Sequence, residues 1–201
     1  MTDQKWNATD YLFVFPDIPS YEGDLVEAPF MHKVNWVWRY IFDDVLPEIS
    51  RAINAGAELA ALTLALATVD YMAGYRVGRE SNGKDYVNFL REYFPSEYTL
   101  YIDDIYSQLR NGIMHNLVTV NPWRKDRSTF SIHERNSPHL TPDDAAQIAF
   151  SVPIFLEDIR RAWIMFVHEL VMHPTEGAKE NFLRRFNRLD GTGAFMRRSL
   201  T

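Results

Sequence analysis

The residues best equipped for chemistry stand together on one predicted helix, Tyr101 to Asn116, which reads YIDDIYSQLRNGIMHN. At about 100° per residue, Asp103, Asp104, Ser107, Arg110, Asn111, Met114 and His115 share one side of it. That side carries carboxylates, a guanidinium, an amide and an imidazole. A guanidinium grips anions through a planar fork, and an imidazole, titrating near neutral pH, moves protons. Arg110 and His115 are five residues apart, which on an ideal helix turns them about 140° from each other. A single pair therefore converges poorly on one reacting atom. The opposite side, Ile102, Ile105, Leu109 and Ile113, repeats at three and four residues and predicts a core-facing stripe.

The run Leu109-Arg110-Asn111-Gly112-Ile113-Met114-His115 resembles the Arg-x4-6-His signature of the HEPN superfamily, all-helical domains many of which are metal-independent ribonucleases. The resemblance covers this motif and a compatible helix order over about residues 30 to 173. It implies cleavage of single-stranded RNA with the ribose 2′-hydroxyl as nucleophile and with neither metal nor cofactor. In that scheme His115 moves a proton to or from the attacking or leaving oxygen, and Arg110 holds the non-bridging phosphate oxygens. Asn111 orients substrate or imidazole. It also implies a two-fold homodimer in which facing motif helices share one cleft, resolving the angular problem by symmetry. A bacterial defence or toxin-like setting with an antitoxin-like protein partner belongs to the same implication. The alternative is a HEPN-like module without catalysis that binds nucleotide, RNA or protein. In a purely structural reading, Arg110 simply pairs with Asp103 or Asp70, and His115 sits favourably at the carbonyl end of its helix.

The elements that must hold this helix read as an all-α bundle of about five main helices, with a small β-hairpin inserted after the motif helix. Residues 1–28 form an acidic arm, 29–190 the helical domain and 191–201 a C-terminal tail. Pro16 and Pro19 favour an extended arm, which either lies across the body or stays free. A helix begins at Pro29, is expected to end or kink at Pro47, and resumes to about Asn54. Glu58 to about Gly78 is Ala- and Leu-rich and predicts a central helix that neighbours approach closely. Asp70, in its apolar middle, needs a partner, for which Arg110 and Arg76 are the candidates. Asp85 to Phe94 is a short helix after the turn Ser81-Asn82-Gly83. Leu117 to Val120 and Thr129 to His133 predict the hairpin around 122–127. Thr141-Pro142-Asp143-Asp144 carries helix-start signals, so the next helix is expected from there to His173 with Pro153 bending it. Its core stripe is Phe155, Ile159, Trp163, Phe166 and Leu170. Glu176 to Leu189 closes the bundle.

Two further clusters have functional types. Trp123, Arg124, Lys125 and Arg127 form a basic turn with an aromatic, suited to stacking on RNA and contacting phosphate, or simply to solvation. His168, Glu169 and His173 miss the zinc-protease spacing, because Met172 stands where the second His is needed. Arg184, Arg185, Arg188, Arg197 and Arg198 make the C-terminal end locally basic, tempered by Glu176, Glu180 and Asp190.

Composition bounds these readings. Of 201 residues, 46% are hydrophobic, enough for a sizeable core, and there is no cysteine, which excludes disulfides, thiolate metal sites and cysteine nucleophiles. The net charge of -6 is carried by residues 1–50, which argues against a broadly basic nucleic-acid binder but leaves room for a local basic site. No signal peptide or membrane span is evident, so a soluble cytoplasmic protein is expected.

Overall fold

The computed structural model describes residues 18, 21, 23–116, 129–133, 138–143, 145 and 147–189, with His115, Asn116, His133 and Leu189 described by backbone alone. The chain is mainly helical with one small sheet. A first rod comprises α1 (Phe30–Arg39), a π-helical turn (Tyr40–Val45) and α2 (Leu46–Asn54). Pro47 lies in the first turn of α2, directly after the widened turn, so the break expected at this proline takes the form of a local rewinding. Ahead of the rod, Ala28 is buried and the Val26 carbonyl accepts from Lys33 Nζ at 2.6 Å, tying the end of the acidic segment to α1.

Helix α3 (Glu58–Val77) packs against α2, α4, α7 and α8. Its small side chains permit this: Ala61, Ala65 and Ala73 are fully buried beside Leu62, Leu66, Val69 and Met72. Gly78, at φ 75°, ends it in the left-handed conformation with its N–H on the Gly74 carbonyl. Helix α4 (Gly83–Tyr93) starts two residues before the sequence suggested. Asn82 accepts from the Lys84 and Asp85 N–H groups, and the Asp85 carboxylate accepts in return from the Asn82 N–H at 3.0 Å, a complete capping box. After a 3-10 turn (Ser96–Leu100), the motif helix runs through α5 (Ile102–Asp104), a second π-helical turn (Ile105–Arg110) and α6 (Asn111–Asn116). Ile102, Ile105, Leu109 and Ile113 are all buried, as their spacing predicts.

The strands correct the sequence reading. β1 (Phe130–His133) pairs in parallel with β3 (Ile148–Ser151), and β2 (Thr141–Pro142) pairs antiparallel on the other side of β3. The strand expected near Thr129 to His133 is present, but its described partner is a later segment; Leu117 to Val120 lie outside the described residues. Thr141 does not open a helix. The Asp143 carboxylate, read as a helix-start acid, instead accepts from the Ala145 and Gln147 N–H groups at 2.9 Å each, folding a tight turn between β2 and β3. Helix α7 (Val152–Met172) begins only at Val152. There Ser151 accepts from the Ile154 N–H, and Pro153 sits in the first turn, where a missing N–H costs nothing, instead of bending the middle. Phe155, Ile159, Trp163, Phe166 and Leu170 are buried as expected. Helix α8 (Glu176–Leu189) lays Phe182 and Phe186 against α3 and α1.

A buried chain of hydrogen bonds fastens the sheet to α7. The Ser151 N–H donates to His139 Nδ1 at 3.0 Å, which places the ring proton on Nε2. That nitrogen meets the Tyr98 hydroxyl at 2.8 Å, and Tyr98 donates to Asp158 Oδ2 at 2.8 Å. Among the described residues, no helix is long and apolar enough to cross a membrane.

Candidate functional site

The motif helix meets α3 at a charged contact. Arg110, the last residue of the second π-helical turn, donates through Nε to Asp70 Oδ2 at 2.8 Å. The Ser81 hydroxyl donates to the other carboxylate oxygen at 2.6 Å. Arg76, the other candidate partner for Asp70, pairs with Glu92 across α4. The side chains of Arg110 and Asp70 are 23% and 19% exposed, so the pair is sheltered yet reachable from solvent.

Arg110 Nη1 donates to Asn111 Oδ1 at 2.8 Å. With its carbonyl oxygen taken, Asn111 has its amide N–H groups left as donors. His115 lies four residues further along α6, the spacing at which helical positions share a face. The guanidinium thus leans toward the face that carries position 115, narrowing the gap that an ideal helix would leave.

Aromatic rings close the site from behind. The Arg110 guanidinium lies 5.7 Å from the Tyr106 ring centroid, and Tyr106 packs on Tyr86 with centroids 5.5 Å apart. The Tyr86 hydroxyl is buried without a hydrogen-bond partner. Burial, and next the negative charge of Asp70, push its ionisation well above the ordinary phenol range, with Arg110 opposing. Tyr106 reaches this position because residue 83 is glycine: a Cβ there would fall 2.5 Å from the Tyr106 ring. The Ser81-Asn82-Gly83 turn therefore binds Asp70, caps α4 and admits Tyr106. Ser81, Gly83, Tyr86 and Tyr106 were not site candidates in the sequence. Tyr86 reads there as one more core aromatic, and nothing local links Ser81 to a residue eleven positions earlier.

The remaining candidates divide. Asp103 is exposed, and the Nε bond of Arg110 goes to Asp70. Trp123, Arg124, Lys125 and Arg127 lie outside the described residues. Glu169 accepts from the Tyr93 hydroxyl at 2.8 Å, while the rings of His168 and His173 stand 6.1 Å apart. Among the described residues no three His, Asp or Glu side chains converge as a metal ion would require. No family model, curated protein or solved structure matches the chain.

Proposed function

We propose that the chain is a HEPN-like endoribonuclease that cleaves single-stranded RNA without a metal, at a site completed by a second copy. The observation that carries this reading is the hold on Arg110: Asp70 fixes its Nε edge and Asn111 draws it toward the face of position 115. A guanidinium oriented in advance stabilises a pentavalent phosphate better than a free one, because little reorganisation remains to be done. The 2′-oxygen attacks phosphorus, the bond to the 5′-oxygen breaks, and a cyclic phosphate and a 5′-hydroxyl result. One His115 takes the 2′-hydroxyl proton and the partner's His115 returns one to the leaving oxygen. The chemistry of an intracellular RNA substrate fits a cytoplasmic location and an antitoxin-like partner.

Purified protein is expected to cut single-stranded RNA in the presence of chelator. His115→Ala and Arg110→Ala should each lower the rate roughly 10²- to 10⁴-fold while the protein stays folded. Intact RNA, or variants as active as the parent, overturns the proposal.

A second reading has its own support. Asp70 offsets the charge of Arg110, as a structural ion pair does, which favours a non-catalytic module that binds nucleotide, RNA or protein. Binding of RNA or nucleotide without cleavage selects it.

A further inference from the structure

Arg185, on α8, is only 7% exposed, and its Nε and Nη1 are shut off from solvent without a hydrogen-bond partner. A guanidinium does not shed its proton in proteins, so burial leaves a charge that needs an anion. Burial is the main influence on it, Glu80 and Tyr71 oppose that influence, and Arg188 adds to it. Glu80 nevertheless forms no ion pair with it among the described contacts. Space for the group comes from α3: a Cβ on Gly74 would lie 3.0 Å from Arg185 Nε and 3.3 Å from its Cζ. The same Cβ would meet the Arg79 carbonyl at 3.0 Å, so the chain leaving α3 borders this place too.

The place adjoins the candidate site. Gly74 is one helical turn beyond Asp70 on the same face of α3, about 6 Å along its axis. Two residues past Arg79, Ser81 turns back to bind Asp70. The segment Arg79 to Ser81 therefore runs from the edge of Arg185 to the carboxylate that holds Arg110. Arg184 and Arg188 are exposed on the same helix as Arg185, and the nearby Arg79 is already bound to Asp85 at 2.6 Å.

We propose that Arg185 anchors a phosphate group, and that in the RNA reading this is a phosphate next to the one held at Arg110. Nη2, which is not among the shut-off nitrogens, receives the first oxygen. The identity of that phosphate rests on the ribonuclease reading; the anion site itself does not. An RNA strand and free phosphate present the same chemistry, and the test separates them.

Full-length protein and Arg185→Met are compared in two assays. One is thermal midpoint with and without inorganic phosphate. The other, in a His115→Ala background that does not cleave, is binding of a single-stranded oligoribonucleotide across a salt series. Arg185→Met should melt no lower than its parent without phosphate and should lose the phosphate-induced rise. If the RNA strand is the source, oligonucleotide affinity also falls roughly tenfold and the logarithmic salt slope becomes shallower by about 0.7, one contact's worth. Loss of the phosphate rise with RNA affinity unchanged assigns the site to free phosphate. Gly74→Ala, which crowds the guanidinium without removing its charge, should weaken the same responses. Retention of both the phosphate rise and the oligonucleotide affinity in Arg185→Met overturns the proposal, whether or not RNA is cleaved. Conversely, a phosphate rise that depends on Arg185 in a protein that leaves RNA intact keeps the anion site and removes the ribonuclease.

Discussion

Arg110 Nε donates to Asp70 Oδ2 over 2.8 Å, joining the end of a π-helical turn to the middle of the central helix. Asp70→Asn keeps the shape and removes the charge, so it should destabilise the fold by about 1–2 kcal/mol, the value of one charge-assisted hydrogen bond partly screened by solvent. Combining it with Arg110→Met should cost less than the two single changes added together, because the partners fail as a unit. Urea unfolding of the four proteins measures this coupling, and strict additivity would show the contact to be energetically idle.

Gly83→Ala tests the seating of Tyr106. A methyl group 2.5 Å from the ring requires Tyr106 to move, at about 1–3 kcal/mol, and the guanidinium then loses the ring beside it. Tyr106→Ala in the same chain should recover most of that loss. The denaturant midpoints of the single and double variants decide it.

His139 and Asp158 give opposite responses to pH. Burial holds His139 at about 4, below its usual 6.5, with Glu97 opposing; its stabilising share is full above pH 6.5 and is lost as pH falls through 4. Burial raises Asp158 from 3.8 to about 6, opposed by Tyr98 and Arg161 and reinforced by Glu157 and Glu97; its share is full below 3.8 and is lost as pH rises through 6. Between pH 4 and 6 the slopes offset each other in the parent protein. Asp158→Asn should uncover a fall in stability toward acid, and His139→Gln a fall toward neutral pH. Each slope is at most about 1.4 kcal/mol per pH unit for one proton, less where solvent reaches the groups. Urea midpoints at pH 4, 5, 6 and 7 are the measurement, and parallel curves for all three proteins would contradict it.

Asn82→Ala removes the hub of the α4 capping box and should lower stability by about 1 kcal/mol. Because Ser81 and Gly83 flank it, the change should also loosen Asp70. Asn82→Asp, which retains an accepting oxygen, should restore most of the midpoint.

Much of the scaffold is legible in the sequence because helical periodicity is a local property. The stripes on α3, α7 and the motif helix, and the bounds of α8, follow from spacing and end signals alone. The sheet is not legible in that way. Thr141-Pro142-Asp143 satisfies the local rules for opening a helix, yet the same carboxylate serves a tight turn once Ile148 to Ser151 can pair with a strand some eighteen residues upstream. Pairing at that separation leaves no periodic trace. The candidate site divides likewise: the face bearing Arg110 and Asn111 is visible from residue types, whereas Ser81, Gly83 and Tyr106 join it only through packing between α3, α4 and the motif helix.

The π-helical turn at Ile105–Arg110 makes the aim of one guanidinium depend on chain length. Removing a single residue from that turn would restore ordinary winding and swing all that follows by about 100°. The upstream isoleucine would keep its place in the core while a different side chain confronted Asp70. Chains of this build would then tolerate exchanges of residue in that turn more readily than any change in their number.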